Sequence, residues 1–303
     1  MVAVGQLAPG DDAGANWAAA SRLIEQAAAG GAKLVVLPEQ TMLAQPPGQP
    51  QRFARLAAAA WEWWPQALSD AARRLGVAVV AGGFAAASAQ PFAARPVGRA
   101  ASDPGLASNH SGPGHQSDQS DQTDQPGAAD QDLRPWNVLV AVDQDGNPAA
   151  CQAKTRLYDA FSYRESDFAR PGPPHPTRPV DLAGLRLGLV NCYELRFPEL
   201  ARELVLGGAE VLTLSAAWAR GPLKEDQWAT LARARAIENC AYVLAAGTRA
   251  KDTIGHSMII DPGGVVRAGL SGEPEGLALA EVDTDVIAQT RALVGSVPTS
   301  ARR

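Results

Sequence analysis

The chain has 303 residues, 46% hydrophobic and 19% charged, with a formal net charge of -5. A chain this long buries a large core without disulfides or metal, and its acidic balance argues against nucleic acid, whose partners carry a basic face. No run approaches the roughly 18 to 20 consecutive apolar residues of a membrane span.

The opening MVAVGQLAPG lacks the charged and apolar regions of a signal peptide. Cys151, Cys192 and Cys240 are too few and scattered for a disulfide framework or a zinc cluster. A soluble, cytoplasmic protein of a reducing compartment is expected, without membrane or nucleic-acid partners. Of four histidines, His110 and His115 fall in a polar tract and His175 in a Pro-rich loop, leaving His256 near apolar sequence. A general base here would be a carboxylate or a lysine.

Val2 to Gln6 reads as a strand. Asp11 or Asp12 can cap a helix that carries Trp17, Ala20, Leu23, Ile24 and Ala27 on one face and stops at Gly30-Gly31. Leu34 to Leu37 is a continuous apolar run, the mark of a strand buried on both faces, and it ends at Pro38-Glu39. A helix is predicted from about Phe53 to Leu75, then a strand from Val77 to Ala81 closed by Gly82-Gly83.

From about Ala85 to Pro135 the chain becomes Ser, Asp, Gln, Gly and Pro, with almost nothing to bury. Composition predicts a disordered loop insertion, an interaction tail being the alternative. Asn137 to Val142 alternates into Asp143-Gln144-Asp145-Gly146, a hairpin signal, and a second strand runs toward Lys154.

Leu185 to Val190 is a buried strand followed by a helix bearing Phe197, Leu200, Ala201, Leu204 and Val205, with Pro198 in its first turn. Strands at Val211 to Leu214 and Tyr242 to Ala246 flank a helix from Glu225 to Glu238. Ser257 to Ile260 pairs with Val265-Val266, and Leu277 to Val282 is the last strand. Sheets covered by helices, an α/β layered domain, follow from this alternation.

Cys192 lies where a buried strand meets a helix, in GLVNCYELRFPEL. That position projects a side chain at the sheet edge and turns backbone N–H groups and the helix dipole toward it. A thiol there becomes a nucleophile if a base stands beside it; a small buried hydrophobe is the other reading. Glu39 ends LVVLPE, at the strand end where open α/β sheets bind ligands, or is a surface carboxylate. Lys154 ends its strand likewise, and Glu165 is a loop carboxylate in FSYRESDFARPG. No phosphate-binding glycine loop or HExxH motif occurs.

LPE, then Lys, then CYELRFPE together resemble the nitrilase superfamily of carbon–nitrogen hydrolases, which use a Glu-Lys-Cys triad. Gln6, Asn16, the Asn137 strand, RESDFARPG, SAAW, RARAIEN and GHSMIIDPGG extend the resemblance in order over nearly the whole chain outside the insertion. It implies one domain over residues 1–303, folded as an α-β-β-α four-layer sandwich, and a homodimer or larger assembly through helices at about Arg196 to Leu206 and Gln227 to Asn239. It also implies Cys192 as nucleophile, Glu39 as general base and acid, Lys154 and the Tyr193 backbone N–H as oxyanion donors, and no cofactor or metal. Glu165 matches the family's second glutamate, with Glu194 its rival. Arg156 after the lysine and Asn191 before the cysteine depart from the usual pattern.

CYELRFPE is nearest the ω-amidase and deaminated-glutathione amidase branch. The implied substrate is a short carboxylate-bearing amide, cleaved to acid and ammonia, with Arg164, Arg196 and Arg220 as candidate carboxylate partners, although Arg196 is read first as packing the RFPE helix into a salt bridge. A carbamoyl-amide or aliphatic amide hydrolase, or a nitrilase, on the same triad is the alternative enzyme. A non-catalytic binding protein that kept the fold is the other class.

Overall fold

Apolar strands without a polar face must be covered on both sides, and four layers meet that demand. The computed structural model describes residues 1–89, 132–161, 163–173 and 178–297. In chain order the strands are β1 (Val2–Gln6), β2 (Leu34–Val36), β3 (Ala78–Ala85), β4 (Trp136–Val142), β5 (Pro148–Ala153), β6 (Asp159–Ala160), β7 (Tyr163–Arg164), β8 (Val180–Leu182), β9 (Leu185–Asn191), β10 (Val211–Ala216), β11 (Tyr242–Gly247), β12 (Met258–Ile260), β13 (Val266–Gly269) and β14 (Gly276–Ala280). The helices are α1 (Ala13–Ala29), α2 (Pro50–Trp61), α3 (Trp64–Leu75), α4 (Pro198–Leu206), α5 (Lys224–Asn239) and α6 (Thr284–Val294).

Among the described residues these strands form two six-stranded sheets, ordered β14-β1-β2-β3-β4-β5 and β13-β12-β11-β10-β9-β8. Each has a parallel centre, β1-β2-β3 in one and β9-β10-β11 in the other, flanked by antiparallel strands. Period-two alternation sends each strand into two cores. Val2, Val4, Leu34 and Val36 meet Leu187, Leu189, Leu244 and Ile259 between the sheets. Ala3, Val35 and Val79 turn outward under α1, α2 and α3, while Leu212, Leu214 and Val243 turn outward under α4 and α5. This is the α-β-β-α sandwich that the resemblance implied.

Several elements differ from the sequence reading. The helix expected from Phe53 to Leu75 is two helices, α2 and α3, with Pro65 in the first turn of the second. Its ring excludes the Trp61 carbonyl, so α2 ends there and a new helix starts. β3 continues through Ala85, and Gly82 within it is obligatory: a Cβ there would lie 2.0 Å from the Glu39 carbonyl oxygen. The β6–β7 hairpin, β8 and α6 were not foreseen. α6 buries only Ile287, which gives it no apolar stripe, though Asp283 caps it and Gly295 ends it at a φ of 65°. The last strand stops at Ala280 rather than Val282. The disorder expected of the polar tract concerns chiefly residues 90–131, which lie outside the described residues.

Candidate active site

β2, β5 and β9 bring their C-terminal ends to one place, and each delivers one of the foreseen side chains. Glu39 follows β2, Lys154 follows β5, and Cys192 follows β9. Glu165 arrives from a short 3-10 turn, Glu165–Asp167, after β7. All four are buried, exposed by 3%, 2%, 8% and 3% for Glu39, Lys154, Cys192 and Glu165.

Lys154 Nζ lies 2.8 Å from Glu39 Oε1 and 2.8 Å from Glu165 Oε2. Asn137 Nδ2 donates to the same two carboxylates, each at 2.8 Å. Glu39 Oε2 accepts from the Ala217 N–H at 2.9 Å, and Glu165 Oε2 from the Tyr158 N–H at 2.7 Å. Buried charges persist only when paired and hydrogen-bonded in this way. Asn137 in turn accepts from Asn191 Nδ2 at 3.0 Å, so the unusual amide before the cysteine joins the network.

The charges explain the protonation states. Burial would push Glu39 up, but the Lys154 charge and hydrogen bond, with the Cys192 thiol and the Ala217 N–H, hold its carboxyl below the usual range. Burial also opposes the Lys154 ammonium, yet Glu165 and Glu39 raise its pKa well above that of a free lysine. The Cys192 thiol is pushed well up, first by burial and then by the Glu39 charge, which outweigh Lys154. The resting set is therefore a carboxylate, an ammonium and a neutral thiol beside its base.

Cys192 sits at a φ of 48°, in the left-handed region that a non-glycine residue adopts at a cost. It opens a 3-10 turn, Cys192–Arg196, and α4 begins only at Pro198. The expected direct turn from strand into helix is thus corrected to a strand, a 3-10 turn and then α4. The turn offers N–H groups beside the thiol, Tyr193's being the first after it, but α4's macrodipole starts a turn later and the thiol pKa goes up, not down.

Glu194, the rival second glutamate, does not reach Lys154 Nζ. It accepts from the Thr155 N–H and hydroxyl and from the Asn191 N–H. Arg156 turns to the surface, over the Phe197 ring at 4.2 Å and against Glu199. Of the arginines considered for substrate, Arg164 pairs with Asp167 on the surface and Arg220 is exposed. Arg196 packs over Trp218. Tyr158, Tyr163, Phe168, Tyr193 and Phe197 form a chain of ring contacts beside the buried set. Asn137 as a shared donor and Ala217 as a backbone donor were not assigned from sequence; only their place in the ordered motifs pointed to them. Among the described residues no group of His, Cys, Asp and Glu is placed to hold a metal ion.

The sequence matches the carbon-nitrogen hydrolase family over residues 1–96 and 120–292. The chain belongs to that family, and it is a hydrolase of carbon–nitrogen bonds outside peptides. A hydrolase of Mycobacterium tuberculosis is 31% identical over 306 residues, 96% of this chain and 91% of that protein. A deaminated glutathione amidase of Escherichia coli is 48% identical over 160 residues, which cover 52% of this chain and 60% of that protein. One from Mus musculus is 38% identical over 176 residues, 54% of this chain and 52% of that protein. The match thus spans little more than half of these amidases.

Among solved structures, the C. elegans NitFhit protein aligns with a TM-score of 0.75 at 28% identity, over 99% of this chain and 65% of that chain. The amidase from Nesterenkonia sp. AN1, solved with acrylamide, aligns at 0.70 and 21% identity over 97% and 95%. That likeness bears on the fold alone.

Proposed function

We propose that the protein is an amidase that converts a short carboxylate-bearing amide to its acid and ammonia through a thioester on Cys192. The carrying observation is the Lys154 ammonium held 2.8 Å from both Glu39 and Glu165, with Cys192 buried beside them. Relatives named as deaminated glutathione amidases support the substrate class.

Glu39, a carboxylate at rest, takes the thiol proton as sulfur attacks the amide carbon. An ammonium has three donors, and Lys154 spends two on its carboxylates. The third, with the Tyr193 backbone N–H, faces the oxyanion as it forms. Glu39 returns the proton to nitrogen, the C–N bond breaks and ammonia leaves. Water oriented by Glu165 then gives a proton to Glu39 and attacks the thioester; the C–S bond breaks and the proton returns to sulfur. The route uses the chain's own groups and water, with no cofactor.

We take residues 1–303 as one catalytic domain that pairs with a second copy through α4 and α5, whose Leu206 and Ile237 stand exposed. A screen of ammonia release over short ω-amides of dicarboxylic and 2-oxo acids tests the reaction. Release of carbon dioxide with ammonia would favour a carbamoyl substrate, and no release from any amide would overturn the reading.

A further inference from the structure

The buried catalytic set is assembled from both sheets. Glu39 and Lys154 follow β2 and β5 of one, and Cys192 follows β9 of the other. The layer between the sheets is chiefly apolar, and apolar contact is non-directional. It holds two sheets together without fixing one sheet's register on the other. A polar link across the sandwich does fix it.

One such link stands directly behind the nucleophile. Asn191 ends β9 on the face of Leu187 and Leu189, and Asn137 lies in β4 on the face of Leu139 and Ala141. By period two, both amides therefore stand between the sheets. Each is 1% exposed, and Asn191 Nδ2 donates to Asn137 Oδ1 at 3.0 Å. A leucine at Asn191 would match its neighbours on that face and bury no polar atom.

The carboxylates set the sense of this bond. Asn137 Nδ2 lies 2.8 Å from Glu39 and 2.8 Å from Glu165, and an ionised carboxylate only accepts. Asn137 must turn its oxygen the other way, toward Asn191, and Asn191 must answer with N–H. The Asn191 oxygen is then left on the side of the nucleophile turn. It is turned to the Glu194 N–H in the sense of a capping box but makes no close hydrogen bond there. A buried acceptor without a partner costs stability. The amide pair is arranged for the carboxylates, not for its own hydrogen bonding.

We propose that Asn191 is a positioning residue: by donating to Asn137 it keeps the Asn137 N–H groups turned to Glu39 and Glu165, and so registers the sheet that carries Cys192 on the sheet that carries its base. This role deepens the amidase reading above and rests on it for its kinetic readout. Asn191 acts through Asn137 and needs no contact with substrate.

The test removes the donor in two ways in the purified full chain, with glutaramate, a short ω-amide bearing a carboxylate, as substrate. Asn191→Leu keeps the volume and should fold with a Tm at or above wild type. Its kcat should fall about three- to tenfold, the factor for one lost neutral hydrogen bond, with KM held within about twofold. Asn191→Asp makes the donor titratable. Protonated, the new carboxyl gives its O–H to Asn137; ionised, it only accepts. The groups that face it are Glu39, Glu165 and Lys154 across Asn137, Glu194, whose Oε2 takes the residue's own N–H at 3.1 Å, and the adjoining Cys192 thiol. Burial and three carboxylates against one ammonium place its titration above the ordinary carboxylate range. Its kcat should approach wild type near about pH 5 and fall at least about tenfold across neutral pH, where wild type stays level. Adding Asn191→Asp to Asn137→Ala should give no such limb, because the link is already broken.

Wild-type kcat in Asn191→Leu overturns the role. So does a limb that survives in the double variant, which would mark a direct effect of charge. If glutaramate and every other short ω-amide go unhydrolysed, the amidase reading falls, and hydrogen exchange in the 15N-asparagine-labelled chain decides the role of Asn191. The Asn137 Nδ2 signals, identified by their loss in Asn137→Ala, should exchange at least about tenfold faster in Asn191→Leu. An unchanged rate overturns the link.

Discussion

Thr155 and Glu194 tie the lysine to the nucleophile. The Thr155 N–H and hydroxyl both donate to Glu194 Oε1, at 2.8 and 2.9 Å, while Glu194 Oε2 takes the Asn191 N–H at 3.1 Å. One buried carboxylate therefore joins the residue after Lys154 to the residue before Cys192. Its pKa is raised by burial, against the pull of those donors and the Lys154 charge.

Glu194→Ala should orphan buried donors, at about 1–3 kcal/mol each. A lowered Tm is expected. Glu194→Gln keeps the volume but turns an amide N–H against one of the donors. Its kcat should fall by about tenfold with KM nearly held, because the lysine drifts relative to sulfur while the rest of the site stays. Thermal denaturation and steady-state kinetics check both; a Gln variant with wild-type kcat would reduce Glu194 to packing.

Glu165 shares Lys154 with Glu39, and the two steps of hydrolysis separate their roles. Glu39→Gln removes the base and should lower kcat by at least about 100-fold. Glu165→Gln leaves that base in place while weakening its hold on lysine and water, so acylation should proceed and deacylation stall. Intact-mass spectrometry of Glu165→Gln mixed with glutaramate should show an acyl adduct. Activity near wild type with no adduct would make Glu165 a bystander.

The triad candidates were legible because each sits where an apolar run stops: LVVLPE, the β5 strand before Lys154, and GLVNC. A strand's end is a strong sequence signal, and three such ends in one order carried both the family and the fold. Asn137 is different. It lies inside β4, where a polar residue in an alternating strand has no spacing to mark its role, and only the packing of β4 against the strand ends gives it one. α6 was invisible for a related reason, since one buried residue makes no period. Pro65 was readable, and the split of α2 from α3 follows from its missing N–H; the apolar pattern across it was continuous enough to hide the break.

Asn137→Ala tests that hidden role. It removes one donor from each of two buried carboxylates and the acceptor of Asn191 Nδ2. Each carboxylate then keeps only Lys154 and one backbone N–H, that of Ala217 for Glu39 and that of Tyr158 for Glu165. We expect a fall in kcat of about tenfold or more, with stability reduced by about 1–3 kcal/mol. Denaturant unfolding beside kinetics separates the two effects; a stability loss with unchanged kcat would leave Asn137 structural.

The thiol supplies the last prediction, and its sign runs against a common expectation for catalytic cysteines. Burial and the Glu39 charge push Cys192 well above the ordinary thiol value, so the thiolate is scarce at neutral pH. Alkylation by a neutral maleimide should be slow at pH 7 and should rise only above the ordinary thiol range, with Cys192→Ala subtracting reaction at Cys151 and Cys240. Glu39 is held below the usual carboxylate range, so kcat/KM should stay level as pH falls through 4.5 and decline only below it, when the base is protonated. Stability follows the same linkage: the Glu39 contribution is present above the unfolded value and lost as pH falls through the folded one. Lys154, raised well above 10.5, contributes below that value and loses its part as pH climbs through the folded one. Glu39→Gln removes the negative charge facing sulfur. It should therefore lower the thiol pKa and speed alkylation at neutral pH, even as it lowers turnover. An alkylation profile unmoved by Glu39→Gln would mean that the carboxylate does not govern the thiol, and the general-base assignment would fall with it.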